Sequence, residues 1–294
     1  MTVLEVIQKS ADFLSGKGVD SPRLQAELLL AHVLKLPRMK RYLNFERGLS
    51  DAELASLREL VKRRGQREPL QHITGSTSFC GLEMIVNRGV LIPRPETELL
   101  AERGWEYLQK LQPARQTHAA PESGDPTALD FGTGSGCIAI ALATKCPHAT
   151  VVALDASAEA LAVARQNAER HLVADRITFH HSDGFEALAA GTCFDLVISN
   201  PPYIPNAELA TLQPEVRDFD PRTALDGGYD GLEFYRRLAT EAPGFLKSGG
   251  KIMLEFGDGQ AGAVKAIFKS QAWVVESILA DYASQPRILI ARRS

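Results

Sequence analysis

Four consecutive residues, Asn200, Pro201, Pro202 and Tyr203, are suited to holding a planar NH2 group. They follow an apolar run, 194–199, which predicts a buried parallel strand that ends at a site. The prolines remove two backbone donors and fix two φ angles, so the carbonyls before and between them stay free to accept hydrogen bonds. Asn200 adds a side-chain acceptor, and Tyr203 adds an aromatic face that can stack on the NH2 plane. The alternative is an ordinary turn, because Asn-Pro is common where strands end.

A second motif places glycines between a predicted strand, 128–131, and a predicted helix, 138–143. Glycines let a ligand approach the backbone, and a helix N-terminus offers free N–H groups, so this order forms a nucleotide-type cradle. The next predicted strand, 150–154, ends at Asp155, whose carboxylate could accept hydrogen bonds from both ribose hydroxyls of an adenosine ligand. A glycine turn without a ligand is the alternative, but the acid at the next strand end favours a nucleoside. The cradle consists of Gly132, Thr133, Gly134, Ser135 and Gly136.

The glycine spacing departs from the dinucleotide fingerprint, because Cys137 stands where that fingerprint has glycine or alanine. The three glycines, with Asp130 on the preceding strand, resemble instead the first motif of class I S-adenosylmethionine-dependent methyltransferases. Residues 200–203 match the fourth motif of the amino and amide N-methyltransferases in that class.

The same resemblance implies that Asp183 lies in an acidic loop beside the adenine. Members often carry tryptophan after this aspartate, where the present chain has Gly184 and Phe185, so either Phe185 covers the adenine or that contact is weaker. The implied residues for S-adenosyl-L-methionine, and for the product S-adenosyl-L-homocysteine, are Asp130, Gly132, Thr133, Gly134, Ser135, Gly136, Asp155, Asp183, Gly184, Phe185 and Asn200. Asn200, Pro201, Pro202 and Tyr203 are the implied catalytic and substrate-binding residues.

Three further stretches narrow the resemblance to one family. The segments 68–75, 91–98 and 220–231 look like hallmarks of the HemK/PrmC release-factor glutamine methyltransferases, and the match runs in order along the chain. The family implies methyl transfer to the side-chain amide nitrogen (N5) of glutamine in the Gly-Gly-Gln motif of class-1 peptide chain release factors, which modulates translation termination. It also implies a release factor as protein partner.

Other functions remain open at this point. DNA methyltransferases that act on adenine N6 or cytosine N4 of a flipped base use a similar tetrapeptide. Residues 1–75 carry a net charge of +4, and the whole chain carries −3, so residues 76–294 carry −7. A negative charge of this size does not favour binding to nucleic acid. The other rivals are a non-catalytic nucleoside-binding scaffold and a dinucleotide oxidoreductase, and the intact tetrapeptide and Cys137 count against both.

Composition limits the setting in which the protein acts. No stretch approaches 18 uninterrupted apolar residues, and the first twenty residues have the pattern of neither a signal peptide nor a transit peptide. The four cysteines form no C-x-x-C pair, which predicts reduced thiols. No acidic or Cys cluster lies beside the histidines at ligand spacing, so we expect no metal site. We therefore expect a cytoplasmic monomer with no membrane association and no stable nucleic-acid partner.

The elements that must position these residues form an α/β protein. Residues 1–65 predict a helical bundle that could dock the substrate, with Leu4, Ile7, Ala11 and Leu14 on one face of the first helix and a capping box at Ser50 and Glu53. Residues 66–95 predict a β-hairpin linker, and 112–127 an exposed loop. We expect residues 96–294 to form the catalytic domain that the resemblance implies, and from residue 128 on predicted strands alternate with helices as in a parallel sheet covered on both faces. A final hairpin places one antiparallel strand in the class I methyltransferase (Rossmann-like) seven-stranded sheet that the resemblance implies.

Overall fold

The chain is described by a computed structural model over residues 1–36, 45–111 and 124–294. It folds as two compact units. The first contains Met1–Ser76 together with Gln213–Phe219, and the second contains Thr77–Leu212 together with Asp220–Ser294. Most of the loop predicted at 112–127 lies outside the described residues.

The described residues form α-helices and β-strands with the following bounds. The helices are α1 (Val3–Ser15), α2 (Pro22–Val33), α3 (Asp51–Gly65), α4 (Leu70–Thr74), α5 (Pro95–Leu111), α6 (Cys137–Lys145), α7 (Ala158–Arg170), α8 (Pro214–Arg217), α9 (Glu233–Glu241) and α10 (Ala261–Ser270). The strands are β1 (Ser76–Phe79), β2 (Leu82–Ile85), β3 (Thr127–Phe131), β4 (Thr150–Asp155), β5 (Ile177–His181), β6 (Phe194–Ser199), β7 (Leu246–Glu255), β8 (Trp273–Ala280) and β9 (Pro286–Arg293).

The first unit is a bundle in which α1, α2 and α3 share one apolar core. The predicted capping box at the start of α3 is confirmed: the Ser50 side chain accepts from the Glu53 N–H, and the Glu53 carboxylate accepts from the Ser50 N–H. A second capping box, not predicted, begins α1 at Thr2 and Glu5. These caps satisfy N–H groups that the first turn of a helix leaves without partners.

The buried face of α1 differs by one position from the predicted one. Ile7, Ala11 and Leu14 are buried as predicted, but Leu4 is 48% exposed and Val3 takes its place in the core. A residue four positions before Ile7 lies about 40° from it around a helix of 3.6 residues per turn, whereas one three positions before lies about 60° away on the other side. Val3 lies on the same side of Ile7 as the buried Val6, whereas Leu4 lies on the Ala11 side, past Ala11 and beyond the edge of the buried face.

A buried arginine ties the segment 213–219 to the bundle. Arg64, whose side chain is 4% exposed, donates to one Glu215 carboxylate oxygen at 2.8 Å, and Arg67 donates to both at 2.7 and 2.6 Å. Burial raises the pKa of Glu215, but the hydrogen bonds from Arg67 and Arg64 outweigh it, so the pKa lies below its ordinary value. The pairing therefore contributes stability at neutral pH that is lost as the pH falls through the folded-state pKa.

Replacing Glu215 with alanine is expected to lower the free energy of unfolding of the first unit by about 1–3 kcal/mol, since it removes a charged hydrogen-bond partner. The loss stays moderate because Arg64 keeps Gln25 and the Glu68 carbonyl as acceptors. Hydrogen exchange of the α3 amides measures the effect. Asp218→Ala is the matched control, because the Arg217–Asp218 pair on the same segment is exposed to solvent and contributes little to stability. Equal effects of the two variants would contradict a structural role for the Glu215 pairing.

The second unit is built on a seven-stranded sheet in the order β5-β4-β3-β6-β7-β9-β8. Strands β3 to β7 pair in parallel, and β9 pairs antiparallel with both β7 and β8. The predicted mostly parallel sheet and its final hairpin are therefore confirmed. Because parallel strands end at the same edge, the residues that follow β3, β4, β5 and β6 meet there.

Alternating residues of the strands supply two apolar layers. On β3, Ala128 packs in the layer formed with α5, α6 and α7, whereas its neighbour Leu129 packs in the layer formed with α9 and α10. This two-sided burial explains why the strands have continuous apolar runs. The hairpin of β1 and β2 joins the first layer through Phe79 and Met84, and Asn167 of α7 hydrogen-bonds both backbone groups of Ile85.

The described ranges contain neither a membrane-spanning helix nor a cluster of metal-ligating side chains. None of the helices in residues 1–36, 45–111 and 124–294 is long and apolar enough to span a bilayer. Across those same ranges, no three His, Cys, Asp or Glu side chains are grouped so that they could hold a metal ion.

Candidate active site

The sequence motifs meet at a single cavity of about 670 Å³ in the second unit. This volume falls in the range of about 300–1,000 Å³ that is usual for small-ligand sites. Predicted site residues on its wall are Gly132, Thr133, Gly134, Ser135, Asp155, Asp183, Gly184, Asn200, Pro201 and Pro202. Four other predicted residues, Asp130, Gly136, Phe185 and Tyr203, do not line the cavity. The parallel sheet thus brings the ends of four strands to one site.

The glycine cradle is held open by its backbone conformation. Gly134 has a φ of +56°, and a Cβ built on it would meet no atom within 4 Å, so the space in front of it belongs to the cavity. The N–H groups of Gly132 and Thr133 both donate to the Leu154 carbonyl at the end of β4. Gly136 has a φ of +81° as the N-cap of α6, and a Cβ there would lie 3.0 Å from that of Ala164. A ligand can therefore approach the cradle at Gly134, while Gly136 serves helix packing.

Asp130 supports the cradle from below. It is fully buried, and one carboxylate oxygen accepts from the Thr133 hydroxyl at 2.7 Å and from the Ala139 N–H at 3.1 Å. Its other oxygen has no hydrogen-bond partner among the described residues. Burial raises the pKa of Asp130 to about 7. Asp130 therefore fixes the turn through Thr133 and the first turn of α6 rather than facing the cavity.

Asp155 faces the cavity and also fixes local backbone. One carboxylate oxygen accepts from the Gly134 N–H and the other from the Ser157 N–H, each at 2.8 Å. Burial raises the pKa of Asp155, and these two hydrogen bonds oppose the shift. The N-cap of α7 is Ser157, whose side chain accepts from the Ala160 N–H. Each carboxylate oxygen keeps a further lone pair, so both can accept from a ligand hydroxyl.

Arg237, which the sequence did not single out, organises the turn at Asp183. The Asp183 side chain is 81% exposed, and it accepts from Arg237 Nη1 at 2.9 Å. The same guanidinium also donates to the Asp183 carbonyl. Gly184 has a φ of +124°, and a Cβ there would overlap the guanidinium. The Phe185 ring is buried, 4.6 Å from Phe245 in a stacked arrangement, so the structure keeps it away from the cavity wall.

The tetrapeptide divides between the cavity and the core. Asn200, Pro201 and Pro202 line the cavity, and the Asn200 amide nitrogen donates to the Thr97 hydroxyl at 3.0 Å. The Tyr203 carbonyl accepts from Gln260 at 2.9 Å, and its ring packs with the second apolar layer. Burial raises the pKa of Tyr203 to about 12, so its phenol stays neutral.

The 220–231 segment encloses the tetrapeptide and contributes a charged group. Gly227 N–H donates to the Ile204 carbonyl at 2.9 Å, and a Cβ on Gly227 would lie 2.8 Å from the Tyr203 backbone. Asp220 accepts from Arg94, a cavity residue, at 2.7 Å. Burial raises the pKa of Asp220 to about 6 against the opposing effect of Arg94, so the pair is ionised at neutral pH. The cavity wall therefore carries an anchored guanidinium.

The chain is similar in sequence and in fold to known proteins. The family models for the PrmC N-terminal domain and the methyltransferase small domain match residues 5–75 and 117–213. The release factor glutamine methyltransferase of Geobacter sulfurreducens is 48% identical over 267 residues, which cover 91% of this chain and 88% of that protein. Its counterpart in Chlorobaculum tepidum is 44% identical, with 96% and 94% covered. A solved methyltransferase structure from Pyrococcus furiosus, 20% identical, aligns over 78% of this chain and 97% of that chain with a TM-score of 0.50, which shows the shared fold.

The two relatives align with most of this chain, at 48% and 44% identity. The resemblance inferred from residues 68–75, 91–98 and 220–231 is thereby confirmed. The chain belongs to the family of release factor glutamine methyltransferases.

Proposed function

We propose that this enzyme transfers a methyl group from S-adenosyl-L-methionine to the N5 nitrogen of the glutamine in the Gly-Gly-Gln motif of class-1 release factors. The observation that carries the proposal is the shared cavity: Asn200 and Pro201, suited to an acceptor NH2, line the same space as Gly134 and Asp155, suited to a nucleoside. The relatives from Geobacter sulfurreducens and Chlorobaculum tepidum carry the matching name.

The residues of the cradle would hold the methyl donor. Asp155 would accept from the ribose hydroxyls, and the open space at Gly134 admits a ligand against the backbone. Asp183 and Gly184 line the same wall, on the side where the resemblance implies adenine. When bound, S-adenosyl-L-methionine supplies an electrophilic methyl group on a sulfonium. Phe185, buried beside Phe245, leaves that adenine contact to other residues.

The acceptor residues compensate for a poor nucleophile. The lone pair of an amide nitrogen is delocalised into its carbonyl, and no neutral side chain deprotonates it at neutral pH. The Asn200 side-chain oxygen and the Pro201 carbonyl would accept its two N–H bonds and direct the lone pair toward the donor. As positive charge develops on nitrogen, these acceptors stabilise the transition state more than the ground state, and the methylated nitrogen then loses its extra proton to solvent. The stacking of the Tyr203 ring on the amide stays a prediction.

The domain assignment is also a proposal. We assign docking of the release factor to the bundle of residues 1–65, a linker role to 66–95 and catalysis to 96–294. Much of the positive charge near the end of α3 is already paired, Arg63 with Glu68 and Arg64 with Glu215, which leaves Lys62 exposed. Docking would therefore rely on surface shape and on Lys62 rather than on a free basic cluster. We also propose that the enzyme acts in the cytoplasm, where release factors work. We propose that it acts there as a monomer.

Transfer of a tritiated methyl group to alternative substrates tests the activity. The intact enzyme is incubated with labelled S-adenosyl-L-methionine and a class-1 release factor, with the same factor carrying alanine for the Gly-Gly-Gln glutamine, or with plasmid DNA. We expect label in the unaltered factor alone. Label in the DNA would favour the adenine-N6 or cytosine-N4 alternative, which shares the tetrapeptide. Equal label in both factors would place the methyl group on another residue.

A further inference from the structure

A buried chain of side chains stands behind Asn200. The Asn200 amide nitrogen donates to the Thr97 hydroxyl at 3.0 Å, and this hydroxyl donates to a carboxylate oxygen of Glu255 at 2.7 Å. Thr97 is 3% exposed and Glu255 is 2% exposed. Thr97 belongs to the first turn of α5, and Glu255 is the last residue of β7, so two rigid elements hold the chain.

The direction of these hydrogen bonds follows from the number of donors. An ionised carboxylate can only accept, so the single proton of the Thr97 hydroxyl must point to Glu255. The hydroxyl then has only lone pairs to offer Asn200, and the Asn200 amide must present its NH2 to Thr97. This leaves the Asn200 carbonyl oxygen directed away from Thr97, with the cavity that Asn200 lines available to it.

We propose that Thr97 and Glu255 are positioning residues that fix the orientation of the Asn200 amide, so that its oxygen and not its NH2 meets the acceptor nitrogen. This inference rests on the proposed function for the identity of the substrate amide in the cavity. The orientation of the Asn200 amide follows from the hydrogen bonds alone. A reversed amide would present two donors to a group that also donates, which would remove the acceptor on which the transfer depends.

Several charged and titratable groups surround Glu255. Glu96 of α5 and Arg287 of β9 act on the carboxylate, and Tyr203 and Tyr235 are close enough for it to raise their pKa values. Tyr235 donates to the Glu255 backbone carbonyl at 2.9 Å, so it does not occupy the carboxylate. Burial raises the pKa of Glu255 to about 7; the Thr97 hydrogen bond lowers it, Glu96 raises it, and Arg287 and Asn200 lower it.

Protonation of Glu255 would release the constraint. A carboxylic acid can donate to the Thr97 oxygen, after which the Thr97 proton is free to point to the Asn200 oxygen and the amide can turn. Because the acidic form is the one that releases Asn200, kcat should fall as the pH is lowered through about 7. A purely structural contact between α5 and β7 would instead affect the melting temperature and leave the pH profile of kcat unchanged.

Three variants distinguish a positioning role of Thr97 and Glu255 from a purely structural contact between α5 and β7. Thr97→Val removes the hydroxyl at similar volume and is expected to lower kcat about tenfold, the effect of one hydrogen bond, with unchanged affinity for S-adenosyl-L-homocysteine. Thr97→Ser is the matched control and retains most of the activity. Glu255→Gln still offers an oxygen to Thr97, so it keeps activity at alkaline pH but loses the decline of kcat toward acid pH. Melting temperatures show that each variant is folded.

An NMR readout of the intact enzyme does not depend on the substrate. The chain has five asparagines, so selective ¹⁵N-asparagine labelling gives few side-chain NH2 signals, and that of Asn200 is identified by its absence in Asn200→Ser. We expect this signal to titrate near pH 7 in the parent enzyme and not in Glu255→Gln. Parent-like kcat in Thr97→Val, or the same titration in Glu255→Gln, would overturn the inference. A titrating signal in an enzyme that does not methylate release factors would instead overturn the proposed function.

Discussion

Replacing Asn200 with alanine is expected to lower kcat by about 10²–10³-fold, the effect of removing one group that stabilises a developing charge. The structure gives the reason, because Asn200 lines the cavity beside Pro201, and its NH2 is engaged by Thr97, which leaves its oxygen for the acceptor amide. Affinity for S-adenosyl-L-homocysteine should be nearly unchanged, because the lost group serves the acceptor. Steady-state kinetics with a release factor and calorimetry with S-adenosyl-L-homocysteine measure the two quantities separately.

Asn200→Asp is the matched variant for this position. It keeps an acceptor for one N–H bond of the substrate but has no NH2 to donate to Thr97, so we expect activity between that of the parent and that of Asn200→Ala. Near-normal turnover in Asn200→Ala would show that the tetrapeptide does not hold the acceptor. If Asn200→Ala lost as much affinity for S-adenosyl-L-homocysteine as it lost in kcat, Asn200 would bind the cofactor rather than the acceptor amide.

The Asp155→Ala variant is expected to bind S-adenosyl-L-homocysteine more weakly by about 1.5–3 kcal/mol for each lost charged hydrogen bond, or about 10-fold to 150-fold in Kd. The ribose hydroxyls would lose their acceptor, and the Gly134 N–H would lose its partner, so the cradle would also loosen. Calorimetry gives the affinity, and thermal unfolding gives the change in stability.

Asp155→Asn separates the two roles of this carboxylate. The amide keeps one oxygen for the Gly134 N–H at nearly the same volume but loses the acceptor for the Ser157 N–H, so the melting temperature should fall less than in Asp155→Ala, while one ribose acceptor is lost. A role in capping α7 cannot explain a loss of affinity, because the cap is Ser157. Unchanged affinity in Asp155→Ala, with lower stability alone, would refute the ribose role.

The sequence predicted those features that depend on local pattern and on the geometry of parallel strands. Gly134, Asp155 and Asn200 each follow an apolar run, and parallel pairing brings the ends of such strands to one edge of the sheet. Their positions in one cavity could therefore be predicted without knowledge of side-chain contacts. The capping box at Ser50 was predictable for a similar reason, because both partners lie within one turn. The prediction at Leu4 was wrong since helical spacing alone tolerates an error of one position at the edge of a face.

Contacts between distant residues had no such signal. Thr97 and Glu255 are 158 positions apart, and Arg64 and Glu215 are 151 apart, so neither pairing leaves a periodic trace in the chain. Glu255 is a charged residue at the end of the apolar strand β7, which could have marked it as a functional residue. Its contact with Thr97 is visible only in the folded structure. Arg237 reaches Asp183 across 54 positions for the same reason. Phe185 shows the limit of resemblance, since an aromatic residue beside the expected position packs into the core instead.

The most direct test of the account is mass spectrometry of a class-1 release factor after reaction with the intact enzyme and S-adenosyl-L-methionine. We expect that the peptide containing Gly-Gly-Gln gains one methyl group, that its fragments place the group on the glutamine side chain, and that Asn200→Ala gives no such product on the same timescale. A methyl group on a lysine, an arginine or a main-chain atom of the factor would contradict the role assigned to Asn200 and Pro201, as would an unmodified peptide beside methylated DNA.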